Sequence, residues 1–196
     1  MRVFVTIPFF FFFLASKEED DDSDIEDQLH LLESEDKSDL ILICEDRYFN
    51  VHSHIISARS DIFKLHIQQL QGKKSLMIND IGSHALKLML HYMYSGKLPG
   101  ISIESAMKVY DGAHKYLLRG LERKCISLVK SKLNERNVCD VLAFSDRLQD
   151  NSLKDVVITY LLNNKSFLIS ETWRRFSEHY VKLSNEVHYA YVKRYQ

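Results

Sequence analysis

The chain has 196 residues, 45% of them hydrophobic and 27% charged, with a formal net charge of −1. That is an ordinary globular balance with room for one domain or two small ones. Six glycines and two prolines exclude a collagenous or many-turned all-β chain, and three scattered cysteines exclude a disulfide scaffold or a four-ligand zinc site.

The first sixteen residues read MRVFVTIPFFFFFLAS. A basic start followed by the apolar run Val3–Leu14 is similar to a secretory signal, but Phe13 occupies a position where cleavage wants a small side chain. Five consecutive Phe followed by Leu-Ala-Ser is also what a pyrimidine-rich intron end gives when translated. Both readings stand, and residues 1–24 are set aside from the fold. We expect a nuclear or cytoplasmic protein rather than a secreted one, and the sequence does not choose between those two compartments.

Charge is distributed unevenly. Residues 17–39 hold twelve acids against two bases, whereas residues 40–196 hold 23 bases against 15 acids. An acidic arm thus precedes a mildly basic body. A nucleic-acid surface would cluster its bases with aromatics. Here the bases are spread out, so no nucleic-acid partner is expected. No apolar run approaches the ~18 residues of a membrane-spanning helix, so no membrane partner is expected either.

Within the acidic arm, Ile25, Leu29 and Leu32 recur at i, i+4, i+7, one stripe of an amphipathic helix. Leu40–Cys44 (LILIC) reads as a buried strand, Glu45-Asp46-Arg47 as a turn, and Tyr48–Val51 as the second strand of a hairpin. His52–Ala58 is a short helix, and Ser60-Asp61 caps the next, which contains Ile62, Phe63, Leu65 and Ile67. A polar loop over 68–74 leads to a third strand, Ser75–Asn79. A largely apolar helix follows Asp80–Ser83 and is stopped by the Gly96–Gly100 segment with its proline. Beyond it we expect helices only, at about 103–116, 118–131, 137–148, 151–163 and 171–194, the last interrupted.

The chemistry-bearing residues suggest no catalysis. His52 and His54 would point apart on a helix and lack a third ligand, so a structural histidine is expected there. Cys44 and Cys125 sit in apolar patterns, where a thiol stays inert. No phosphate loop, paired catalytic carboxylates or G-x-S-x-G is present. We therefore expect neither an enzyme nor a cofactor or metal.

A family resemblance is carried by three ordered motifs. Ser38–Val51 followed by His52-Ser53-His54-Ile55-Ile56-Ser57-Ala58-Arg59-Ser60 resembles a BTB/POZ signature. Met77-Ile78-Asn79-Asp80-Ile81 with Leu90–Pro99 resembles the second, and His114–Leu121 with Cys125 the third. Asn134–Val138, Phe144-Ser145-Asp146 and Trp173 are similar to the BACK-type extension of speckle-type POZ proteins. The resemblance implies an α+β chain. A BTB/POZ fold, a small and mainly three-stranded sheet clad in helices, would span 25–132, and an all-helical BACK-like extension would span 133–196. The upstream MATH domain of the speckle-type proteins has no room in the residues that precede the first helix.

The resemblance also implies partners. The first helix and the helix after the hairpin pack on a two-fold mate, which would place Ile25, Leu29, Leu32 and Ile55 in a seam with a second copy or a related BTB protein. Cullin-recruiting members carry a hydrophobic residue, any residue, then Glu after the helix that Phe63 matches. Ile67-x-Gln69 is the nearest counterpart here, with an amide in place of the acid. Contacts to a cullin scaffold would come from Ile67, Gln69, Leu70 and Tyr116. They are weakened by the missing carboxylate, since a charge-assisted hydrogen bond contributes about 1.5–3 kcal/mol. The expected function is a homodimeric adaptor that links partners to a cullin-based ubiquitin ligase. The alternative is an oligomerisation module without ligase activity that forms mixed dimers with full-length relatives.

Overall fold

The computed structural model describes residues 37–195. The expected helix with Ile25, Leu29 and Leu32 lies outside the described residues. The described chain opens on the hairpin β1 (Leu40–Cys44) and β2 (Arg47–Val51), followed by helices α1 (Ser53–Arg59) and α2 (Asp61–Gln68), then β3 (Ser75–Met77). Helices α3 (Ser83–Ser95), α4 (Ile103–Lys115), α5 (Arg119–Lys132), α6 (Val138–Arg147) and α7 (Asn151–Asn163) follow. A 3-10 turn at Lys165–Ile169 leads to α8 (Glu171–His179) and α9 (Val181–Tyr195). The fold class is α+β.

The sheet has the order β2-β1-β3. β1 lies at its centre, antiparallel to β2 with Leu42 opposite Phe49, and parallel to β3 with Leu42 opposite Leu76. Its five apolar residues do not all sink into the core. Leu40, Leu42 and Cys44 are buried, while Ile41 and Ile43 are half-buried on the opposite face. Successive strand side chains point to opposite faces, and the helices clothe only one of them fully. Ile43 stands beside Tyr48 and Met77 in one cross-strand row, and those two flanking side chains are 71% and 66% exposed.

Local chemistry sets the joints. The two-residue turn Glu45-Asp46 puts Glu45 in the left-handed region at φ 53°, uncommon for a residue with a Cβ. Its carboxylate accepts from the Ser83 amide at 3.2 Å and the Ser83 hydroxyl at 2.6 Å, so the hairpin turn caps α3. Those bonds hold the Glu45 carboxyl below its ordinary range. At its other end α3 closes on Gly96, left-handed at φ 67°, where an L side chain would be strained. Ser102, Asp150 and Ser170 accept from the amides of Ser105, Leu153 and Trp173, and so start α4, α7 and α8.

One buried cluster runs from Leu40 to Val187, so the helices after α5 share the core of the sheet-bearing body. α3 sits at its centre, with Leu86, Met89, Leu90, Met93 and Tyr94 all inaccessible or nearly so. Burying each such side chain contributes about 1.5–3 kcal/mol. Farther along, Trp173, Phe176 and Tyr180 stack in series at centroid spacings of 5.3 and 4.7 Å. The expected interruption of the last helix falls at Tyr180, whose φ is −119°.

Candidate protein-interaction site

The shoulder where α2 turns into β3 is built from the inside outward. Ser60 is 2% exposed, and its Oγ works twice. It accepts from the Phe63 amide at 3.2 Å, which starts α2, and donates to the Tyr116 carbonyl at 2.7 Å, which ties α2 to the end of α4. The Phe63 and Tyr116 rings stack with centroids 4.4 Å apart, and His66 meets Tyr116 edge-on at 6.2 Å. The Tyr116 hydroxyl donates to Asp80 Oδ1 at 2.9 Å. Burial, then the Asp80 carboxylate, pushes that phenol well above its ordinary pKa.

Tyr116 is therefore not a surface contact. The sequence reading placed it beside Ile67, Gln69 and Leu70, but it is 2% exposed and lies beneath the shoulder. The correction has a physical cause: a tyrosine just past a helix can bury its ring when its hydroxyl finds an acceptor, and Asp80 supplies one. Ile67 and Leu70 are half-buried, and Gln69 is exposed. Leu65, 52% exposed on the outer side of α2, was missed as a surface residue. Leu65 is two residues from Phe63 on the same helix, a spacing that turns it to the opposite side. Past Gln69 the backbone turns through two left-handed residues, Gln71 at φ 48° and Gly72 at φ 88°. Lys73 and Lys74 follow, both exposed, before β3 begins.

The second candidate surface surrounds α1. Ile55 is half-buried there, and its expected companions Ile25, Leu29 and Leu32 lie outside the described residues. The start of α1 is fixed from two sides. The His52 amide donates to the Tyr94 hydroxyl at 2.8 Å, and His52 Nδ1 lies 3.0 Å from the same oxygen. His52 is 6% exposed, a structural histidine at the start of a helix. Asp39 accepts from the Ser53 amide at 2.7 Å and the Ser53 hydroxyl at 2.5 Å. Burial pulls the Asp39 carboxyl up, but the Ser53 bonds outweigh it and hold the carboxyl below its ordinary range. This capping aspartate precedes β1 and was not singled out in the sequence, because its partner lies fourteen residues away.

The thiols are poorly placed for chemistry. Burial pushes Cys125 up to about 12 and Cys139 up to about 11, and it also raises Cys44, whose Sγ donates to the Ile81 carbonyl at 3.2 Å. A thiol with a raised pKa carries little thiolate at neutral pH. Among the described residues no group of His, Cys, Asp and Glu is arranged to hold a metal, and no helix is long and apolar enough to cross a membrane.

The family model for the BTB/POZ domain matches residues 29–133, which take in the hairpin, the two short helices, the parallel strand and the helices α3 to α5. The chain belongs to the BTB/POZ domain family. BTB domains are protein–protein interaction modules that typically dimerise with BTB proteins, and they are not typically enzymes. This BTB chain is 25% identical over 163 residues to BTB and MATH domain-containing protein 40 of Caenorhabditis elegans, covering 78% of the chain and 40% of that protein. It is 26% identical over 175 residues to BTB/POZ and MATH domain-containing protein 4 of Arabidopsis thaliana, covering 80% and 38%. A further Arabidopsis thaliana BTB/POZ domain-containing protein is 26% identical over 147 residues, covering 72% of this chain and 70% of that one. The chain thus spans about two fifths of the length of the two MATH-bearing relatives. Among solved structures, the BTB domain of zebrafish PATZ1 aligns with a TM-score of 0.48 at 20% identity, covering 60% of this chain and 99% of that one.

Proposed function

We propose that this BTB protein is a homodimeric adaptor whose α2–β3 shoulder docks a cullin-type scaffold of a ubiquitin ligase. In this reading residues 133–196 form a BACK-type extension of the speckle-type kind, and the protein acts in the nucleus or cytoplasm. The observation that carries the reading is the shoulder itself. Leu65 stands exposed and Ile67 and Leu70 are half-buried, over a base of Phe63 and Tyr116 that is itself buried and hydrogen-bonded. A few apolar anchors on a rigid base are what dominate a protein interface.

A second reading has its own support. Residues 62–79 contain no Asp or Glu, so the carboxylate of cullin-recruiting relatives has no counterpart on this shoulder. The protein would then oligomerise without a ligase, forming mixed dimers with full-length relatives. Titration calorimetry of the full chain against a cullin N-terminal domain separates the two. The adaptor reading expects measurable binding that Gln69→Glu strengthens about tenfold. No heat of binding from either protein supports the oligomerisation reading.

A further inference from the structure

The Lys73–Lys74 pair leads directly into a serine. Ser75 is the first residue of β3, which lies at one edge of the sheet, and every residue from Gln71 to Ser75 is exposed. The Ser75 hydroxyl has no hydrogen-bond partner among the described residues, and neither lysine ammonium has an ion-pair partner there. Ser75, Ser127, Ser152 and Ser166 are the described serines that combine an exposed side chain with an unbonded hydroxyl. Ser127 lies inside α5, Ser152 in the first turn of α7 and Ser166 in the 3-10 turn. Of these four, only Ser75 sits in extended backbone.

That setting suits a modifying enzyme. An acceptor hydroxyl has to reach a phosphate held at the bottom of a cleft, which an extended segment can do and a helical turn cannot. β1 holds one edge of the segment, the Ile41 amide donating to the Lys74 carbonyl at 2.9 Å. The other edge of β3 has no strand beside it. The turn before it runs through left-handed Gln71 at φ 48° and Gly72 at φ 88°, so the two lysines leave the body on an open loop. Kinases discriminate among substrates by charge pattern. Here Lys73 and Lys74 directly precede the hydroxyl, half-buried Leu76 directly follows it, and no carboxylate occurs from 62 to 79. Basic residues before the serine and an apolar one after it match a cleft lined with acids.

We propose that Ser75 is a phosphorylation site for a serine kinase that selects basic segments. The Ser75 Oγ attacks the γ-phosphorus of the kinase's magnesium-bound ATP. The Oγ–phosphorus bond forms as the bond to the β-phosphate oxygen breaks, ADP leaves, and the hydroxyl proton passes to the kinase's catalytic carboxylate. The consequence follows from the strand register. Ser75 lies opposite Ile41, and Met77 lies opposite Ile43, whose other neighbour is Tyr48. Alternate residues of a strand share a face, so the Ser75 hydroxyl stands one row from Met77, Ile43 and Tyr48 on the outer face of the sheet. A phosphate there adds a charge of about −1.5 to −2 at neutral pH. It offsets the two lysines and sets an anion beside the exposed apolar row, which changes the partners that face accepts. The hydroxyl gives up no bond within the described residues, so the fold tolerates the change.

The test incubates the full-length protein with magnesium ATP and the catalytic fragment of protein kinase C, a kinase that selects basic segments. Fragmentation mass spectrometry should place the incorporated phosphate on Ser75. Ser75→Thr should keep the incorporation and Ser75→Ala should lose it, with circular dichroism showing that both variants fold. Lys73→Ser with Lys74→Ser should slow the reaction about tenfold, because the charges that steer the segment into an acidic cleft are gone. Phosphate found chiefly on Ser127, Ser152 or Ser166 would overturn the proposal. A folded protein that takes up none, while a synthetic peptide of residues 70–80 is phosphorylated, would overturn it by showing that the β1 pairing shields the hydroxyl. Uptake by neither would overturn it by removing the charge-pattern match. Scaffold binding plays no part in this readout, so its failure leaves the adaptor reading to its own calorimetric test.

Discussion

The ring of Tyr116 lies on that of Phe63, with 4.4 Å between centroids and 27° between planes. Tyr116 closes α4 and Phe63 occupies the first turns of α2, so this stack joins two helices through residues more than fifty positions apart in the chain. Ser60 bonds the same two segments through the Tyr116 carbonyl. The floor of the candidate shoulder is a side-chain stack with a hydrogen bond at each edge.

Loss of that floor is expected to be costly. Phe63→Ala removes a fully buried ring and should destabilise the protein by about 3–5 kcal/mol. Tyr116→Phe keeps the stack and removes only the bond to Asp80, which solvent can replace, so about 0.5–1.5 kcal/mol is expected. Urea unfolding of both variants measures the difference. Equal losses would show that the hydroxyl, not the stack, holds the joint.

Leu65 separates binding from stability. It is 52% exposed, so Leu65→Asp should shift stability by no more than about 0.5 kcal/mol. The same change puts a charge amid the shoulder's apolar anchors and should weaken scaffold binding at least about tenfold. Calorimetry alongside thermal unfolding checks both parts. An unchanged affinity would remove Leu65 from the docking surface.

The seam has an equally direct test. If Leu29 and Leu32 form the seam that the family resemblance implies, Leu29→Asp with Leu32→Asp should yield a monomer of unchanged helical content. Light scattering gives the mass and circular dichroism the helicity. A dimer of unchanged mass would move the seam away from this stripe, and loss of helicity would assign Leu29 and Leu32 to the protein's own core.

Asp39 gives stability a pH dependence of definite sign. Its folded carboxyl titrates below the ordinary 3.8. The Ser53 bonds therefore contribute fully above that value, and their contribution is lost as pH falls through the depressed folded pKa. Asp39→Asn keeps an acceptor and removes the charge. Urea midpoints measured from about pH 6 down to about pH 2.5 should converge for the two proteins at the acid end. Parallel curves would show that the charge of Asp39 contributes nothing to the α1 cap.

Lys154 joins three helices of the extension. Its Nζ lies 2.6 Å from Asp146 Oδ1 on α6 and 3.1 Å from Glu186 Oε2 on α9. Burial lowers its pKa, but the two acceptors outweigh that and raise it above 10.5. The stabilisation is thus present below that value and fades as pH rises through the folded pKa. Lys154→Met should cost about 1–2 kcal/mol near neutral pH. An unaltered melting temperature would show the bridge to be idle.

Much of this protein is written locally in its sequence. LILIC, the polar turn after it, the Ser60 cap, the glycine stop at Gly96 and the helical spacings beyond Ile103 each fix an element through neighbours a few residues apart. The structure follows them to within a residue or two at most boundaries, and the same motifs carried the family. The candidate contacts Ile67, Gln69 and Leu70 came from the family resemblance, through their place after the helix of Phe63, and not from local spacing.

What only the tertiary structure decided involves partners far apart in sequence. Periodicity cannot say that Tyr116 turns inward, because that depends on Asp80 being present to accept its hydroxyl. It cannot say that Glu45 of a hairpin turn caps α3, or that Asp39 caps α1, since both bonds close long loops. Nor can it bring the Lys74 carbonyl to the amide of Ile41, which is set by a parallel strand pairing. Local spacing determines which residues share a face of an element. Which faces are covered, and by whom, is decided only when distant elements pack.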